Sequence, residues 1–233
     1  AKDTSHSLTN TSFSFRNDCS PAVAHGCFDS KEEKEEREKY DELWDAVAKT
    51  YPGSRLRVMK RSLVERVLKE EKDTIIAAGE KYDVPPETIA SIIVKEQITQ
   101  SAPDWVNMMD TYIRGEGHSV GLGAIFPDTA QEAWEEIDSR GGKKYGIVEG
   151  EDTYKTAKIL ADNDEANIHS IAVVLKYEAW QLYGKSVDLN KLTEEQWRAV
   201  IGKYNAESPE KQKNYSDKVM QYLAPNRRIL GLD

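Results

Sequence analysis

A glutamate on an apolar helical stripe is the sharpest chemical signal in this 233-residue chain. Ile89, Ile92 and Ile93 recur at helical spacing, and Glu96 falls at i+4 from Ile92 and i+3 from Ile93, on the same face. Lys95 shares a different face with Ser91 and Thr88. An apolar surface and a helix C-terminus both disfavour a charged carboxylate. A carboxyl held in its acid form near neutrality is what a general acid requires. The competing reading is a helix-end glutamate that reaches water or pairs with an arginine. A glycine-rich run follows, from Gly115 through His118, Ser119, Gly121, Gly123 and Ala124 to Pro127. Its glycines permit close approach of backbone to a ligand and positive φ, although a plain tight loop uses them equally well. Asp128 or Thr129 is placed to cap the helix that comes next. Further on, Trp197, Val200, Ile201 and Tyr204 form an i, i+3, i+4, i+7 stripe. Tyr204 is therefore either a core residue or a site residue. Asn205 beside it is a helix-end cap in the first case.

The elements that must position these groups read as helices. Mixed charges from Lys31 to Lys39, then Tyr40, Leu43, Trp44 and Val47, predict an amphipathic helix over about 31–50, stopped by Tyr51-Pro52-Gly53. Leu56, Met59, Leu63, Val67 and Leu68 mark a second helix, and Ile75, Ile76 and Ala78 a third or its continuation. Pro86 suits a first helical turn. Helical patterns then run over about 86–101, 104–113, 128–138, 151–161, 164–183, 193–206 and 209–223. Gly141-Gly142 and Gly146 predict a loop, with room for a small hairpin. Sustained polar–apolar alternation is absent, so the expected class is all-α.

Composition narrows the partners. Lys and Arg total 32 against 41 Asp and Glu, a net charge of −9, which lacks the basic footprint of nucleic-acid binding. The longest apolar runs, such as Ile171 to Leu175, fall far short of the about 20 residues of a membrane span. The chain opens on Ala1 with no apolar signal-peptide core near it, a start that fits a matured secreted chain or an excised fragment. Cys19 and Cys27 flank His25. A short disulfide loop, two free thiols and a zinc site are the three readings, the zinc site lacking compactly spaced ligands.

Taken in order, these pieces resemble the lysozyme-like superfamily of peptidoglycan-cleaving enzymes, above all soluble lytic transglycosylases and goose-type lysozymes. Pro86 to Gln97 resembles the family helix that ends in the catalytic glutamate, with Glu96 at that position and Gln97 where the family often has Ser. Ser119 to Ala130 resembles the family segment Ser-x-Gly-Leu-Met-Gln-Ile-x-Pro-x-Thr-Ala, with Ala124 where the family has Gln. Asn167-Ile168 resembles the pair that opens a central buried helix, and Ile168, Ile171, Ala172, Leu175, Ala179 and Leu182 fit burial by spacing. Tyr204-Asn205-Ala206 resembles a late Tyr-Asn-Ala-Gly motif, with Glu207 for Gly, and Tyr215 resembles the tyrosine that follows it. The likeness spans roughly residues 75–223. Residues 1–30, rich in Ser, Thr, Asn and Asp, read as an irregular arm, 31–72 as an accessory helical segment without a family match, and the resemblance implies a lysozyme-like catalytic domain at 73–233.

The resemblance implies cleavage of the β-1,4 bond between N-acetylmuramic acid and N-acetylglucosamine, with Glu96 protonating the leaving oxygen as an oxocarbenium-like transition state forms. A transglycosylase then closes a 1,6-anhydro ring, whereas a hydrolase admits water, usually with a second carboxylate. Asp110 is the leading candidate for that carboxylate, ahead of Asp104, Glu116 and Asp128. Ser119, Gly121, Tyr204, Asn205, Tyr112 and Tyr215 are the expected substrate-binding residues, and Trp105 or Tyr112 would stack on sugars if not held in the core. No metal or organic cofactor is needed. The expected partners are peptidoglycan strands and a cognate inhibitor (immunity) protein, the expected state a monomer, and the expected destination the periplasm or cell wall, as for a secreted antibacterial effector domain. A non-catalytic glycan- or protein-binding module on the same scaffold is the second expectation, kept open by Gln97, Ala124 and Glu207. With a net charge of −9, the chain gains no general attraction to anionic cell-wall polymers, so recognition is expected to rest on the cleft.

Overall fold

The computed structural model describes residues 67–99, 107, 118–205 and 208–232. The arm at 1–30, the helix expected at 31–50, Cys19, His25 and Cys27 lie outside the described residues, as do most of the second helix and the stretch expected at 104–113.

Local sequence signals set most of the helix ends. Asp83, with φ 60° and ψ 33°, ends α1 (Lys72–Tyr82) in left-handed backbone. Pro86 opens α2 (Pro86–Thr99), where its missing N–H has no intrahelical acceptor to lose. Helices α3 (Pro127–Tyr145), α4 (Thr153–Asp162) and α5 (Asp164–Tyr183) follow, then a 3₁₀ turn at Leu189–Lys191, α6 (Glu194–Asn205), α7 (Pro209–Met220) and α8 (Leu223–Ile229). Asp152 caps α4 by accepting from Tyr154 N at 2.7 Å, and Asn163 caps α5 by accepting from Ala166 N at 2.9 Å. Among the described residues there is no strand, only an isolated bridge between Val120 and Ile125. The fold is all-α, as the periodicity predicts. No helix of the described residues is long and apolar enough to cross a membrane.

α5 is the central post, packed by α1, α2, α3, α4 and α6. Ile168, Ile171, Ala172, Leu175 and Ala179 are all fully buried along it. Leu182 departs from the expected burial: it is 37% exposed, because the last turn of α5 runs beyond the core before Gly184 ends it. α2 is covered more completely than an amphipathic helix would be. α1, α5, α7 and α8 all pack on it, so Thr88 and Ser91 are buried together with Ile89, Ile92, Ile93 and Val94. The Ser91 hydroxyl is satisfied there, donating to Glu87 O at 2.6 Å and accepting from Asn226 Nδ2 at 2.9 Å.

Three local expectations are corrected. Gly141-Gly142 is not a loop but part of α3, which continues to Tyr145 and ends at Gly146 with φ 81°. The two glycines let this turn pass Trp134: a Cβ on Gly141 would lie 2.7 Å from Trp134 Cζ3. The helix bends at Asp138 (φ −156°, ψ 71°), whose carboxylate accepts from Gly141 N at 3.0 Å. Neither Asp128 nor Thr129 caps α3. Phe126 is the N-cap and offers no side-chain bond, Pro127 starts the helix, and Asp128 instead accepts from Thr153 Oγ1 at 2.9 Å. Finally, the helix expected to reach 223 stops at Met220, and α8 follows after a turn.

Candidate active site

Glu96 lies in the last turn of α2, 5% exposed. Among the described residues, three donors converge on its Oε1. Tyr215 Oη of α7 donates at 2.5 Å, Asn205 Nδ2 at the end of α6 at 2.8 Å, and Lys95 Nζ lies at 3.4 Å. Tyr204 and Tyr215 stack with ring centroids 6.4 Å apart. Burial first, and then the Glu96 charge, push both phenols well above their ordinary range, so each stays a proton donor at neutral pH.

Beside Glu96 runs the turn from Val120 to Ile125. Val120 and Ile125 exchange both backbone bonds, at 3.1 and 3.0 Å, and Ala124 N closes the turn on Gly121 O at 3.1 Å. Gly121 adopts φ 76° and Ala124 φ 46°. Only glycine fits at 121, since a Cβ there would lie 2.0 Å from Asn167 Nδ2. Three side chains hold the turn. Asn167, at the start of α5 and fully buried, accepts from Gly123 N at 2.9 Å and donates to Leu160 O at 3.0 Å and Val120 O at 3.3 Å. Tyr204 Oη donates to Gly123 O at 2.8 Å. Gln97 Nε2 donates to Leu122 O at 3.0 Å and Gly121 O at 3.4 Å.

The structure thus brings Glu96, Gly121 and the late group Tyr204, Asn205 and Tyr215 together from three stretches of the chain. Asn205 is not merely a helix-end cap, and Tyr204 is both a core residue and a clamp on the turn. Ser119 is half-buried at the edge of the turn, its carbonyl accepting from Asn107 Nδ2 at 3.0 Å. Asp110 and Tyr112, with Asp104, Trp105, Glu116 and Glu207, lie outside the described residues. Asp128 is an exposed first-turn acid of α3.

Sequence reasoning missed three contributors. Asn167 was legible as a polar residue opening an apolar stripe, but its bonds to the turn were not. Gln97, the residue that departs from the family's Ser, carries an amide to the turn, while Ala124, which departs from the family's Gln, carries none. The helix face that Lys95 shares with Ser91 and Thr88 is turned inward. The Lys95 side chain is 12% exposed, and its ammonium sits 4.4 Å from the Tyr215 ring centroid. Among the described residues, no group of three or more His, Cys, Asp or Glu could hold a metal ion.

The site is chemically a shielded carboxyl, ringed by hydrogen-bond donors and flanked by a rigid glycine turn. That arrangement fits proton donation to a bound ligand. Residues 57–179 match the protein family described as T6SS, peptidoglycan muramidase Tse3, catalytic domain. No curated protein and no solved structure gave a significant match.

Proposed function

The chain belongs to the T6SS Tse3 peptidoglycan muramidase catalytic-domain family, and from that membership we propose that Glu96 is the general acid of its glycosidase reaction. The observation that carries this assignment is the buried carboxyl with Tyr215, Asn205 and Lys95 gathered on one oxygen. The bond cut is the β-1,4 link between N-acetylmuramic acid and N-acetylglucosamine. Glu96 passes its proton to the bridging oxygen as the C1–O bond breaks, and water adds to C1. Asn205 and Tyr215 fix the carboxyl, while Tyr204 fixes the turn. Ser119 and the Gly121 backbone border the sugar path. Asp110 as second carboxylate and Tyr112 as a sugar contact rest on sequence position.

The family couples muramidase activity to type VI secretion. We infer that the domain acts as an antibacterial effector, monomeric and delivered to the periplasm, and that its producer carries a cognate immunity protein.

The test is digestion of purified peptidoglycan followed by mass spectrometry of the products. The wild type is expected to release reducing-end muropeptides, and Glu96→Gln none, with an unchanged circular-dichroism melt. Lysis retained by Glu96→Gln refutes the assignment of the acid. Anhydro-muramyl products from the wild type refute hydrolysis.

A further inference from the structure

Lys95 sits beside Glu96 in the chain, yet its side chain does not leave for solvent. Its ammonium lies between two groups of the site, 3.4 Å from Glu96 Oε1 and 4.4 Å from the centroid of the Tyr215 ring. The phenol of that ring donates to the same Oε1 at 2.5 Å. Cation, ring and carboxyl form one cluster, and the face of an aromatic ring attracts a cation. Burying a lysine to this degree disfavours its charge. Burial does push the ammonium below its ordinary range, Glu96 opposes that, and Lys218 on α7 adds to it. Among the described residues, the titratable or charged groups facing the pair are Tyr215 and Lys218 from α7 and Tyr204 from α6.

We propose that Lys95 is a positioning residue for the glycosidase reaction, whose ammonium, seated on the Tyr215 ring, supplies the countercharge to the Glu96 carboxylate formed when the proton leaves. This rests on Glu96 being the general acid. The proton moves from Glu96 to the bridging oxygen, the C1–O bond breaks, and the negative charge left on Glu96 lies next to an existing positive one. Water then gives hydroxyl to C1 and a proton that restores the acid. Lys95 gains and loses no proton. Its charge offsets the negative charge that grows on Glu96 as the proton leaves, and so speeds donation.

The experiment measures kcat and KM on soluble peptidoglycan oligosaccharides for wild type, Lys95→Met, Lys95→Arg and Glu96→Gln. Lys95→Met keeps most of the side-chain length and removes the charge. Its kcat is expected to fall about 10-fold, with KM changed less than about 3-fold. Lys95→Arg is expected to restore most of kcat. A Lys95→Met kcat within about 2-fold of the wild type overturns the proposal. So does an equal loss in Lys95→Met and Lys95→Arg, which marks packing alone. If Lys95→Met fails to fold by circular dichroism, Lys95→Gln carries the same comparison. Activity retained by Glu96→Gln removes the acid assignment and this proposal with it. An inactive Glu96→Gln beside an undiminished Lys95→Met kcat removes only the role of Lys95.

Discussion

Truncating Asn167 to alanine is expected to destabilise the fold and loosen the turn beside Glu96. The carboxamide is fully buried and makes three bonds. Without it, Gly123 N–H loses its acceptor in a buried site, a loss of about 1–3 kcal/mol. Leu160 O and Val120 O each lose one donated bond, about 0.5–1.5 kcal/mol apiece. Val120 O keeps its bond from Ile125 N at 3.0 Å, so it is not orphaned. The total is about 2–6 kcal/mol, and a central value of about 4 lowers the melting temperature by roughly 8–16 °C for a domain of this size. Paired urea and thermal unfolding followed by circular dichroism reads the loss. Activity is then compared at a temperature where both proteins are folded, and kcat is expected to fall because Gly123 is the residue Tyr204 grips from the other side. Asn167→Asp is expected to be at least as damaging: it keeps the acceptor for Gly123 N–H but sets a carboxylate against two carbonyl oxygens. A loss under about 1 kcal/mol in Asn167→Ala would refute the view that this amide anchors the turn.

Tyr215→Phe removes the 2.5 Å donor to Glu96 while keeping the ring that stacks on Tyr204 and carries Lys95. A hydrogen bond to a charged group contributes about 1.5–3 kcal/mol, so kcat, measured where both proteins are folded, is expected to fall about 10- to 150-fold; an unchanged kcat would mean that Asn205 suffices to hold Glu96. His169 carries a different expectation. Its Nδ1 is buried with no hydrogen-bond partner among the described residues, and burial, then Lys81 and Lys144, hold its imidazole below the ordinary 6.5 against the opposing pull of Glu165 and Asp138. The folded state favours the neutral ring, so its contribution to stability is complete above 6.5 and is lost as pH falls from there through the folded value. The melting temperature is expected to be lower near about pH 5 than near about pH 7.5, and His169→Phe to flatten that difference; an equally steep difference in the variant would assign it to other groups.

Much of the helical order is legible because helix formation and termination are largely local. The 3.6-residue period of the apolar positions marks α2, α5 and α6, and Pro86 marks the start of α2; the caps Asp152, Asn163 and Ser208 came from the structure. Gly141-Gly142 misleads for a local reason as well. Glycine marks a turn and also a place where a helix must pass a bulky neighbour, and only the position of Trp134 separates the two. Lys95 misleads because periodicity sorts residues into faces without saying how many faces are covered. With α1, α5, α7 and α8 packed on α2, even the polar side of that helix is interior.

The sequence by itself determined that the chain is helical and that Glu96 lies on an apolar stripe, and it carries motifs that resemble, in order, those of a glycan-cleaving family. The first two properties depend on residue type and spacing within one or two helical turns. The tertiary structure decided which groups touch the acid. Asn205 and Tyr215 reach Glu96 across 109 and 119 residues of chain, and Asn167 reaches Gly123 across 44. Such contacts depend on how whole helices pack, and a local period carries no record of that. The same packing turned Lys95 inward onto Glu96 and set the Gln97 amide against the turn carbonyls of Gly121 and Leu122.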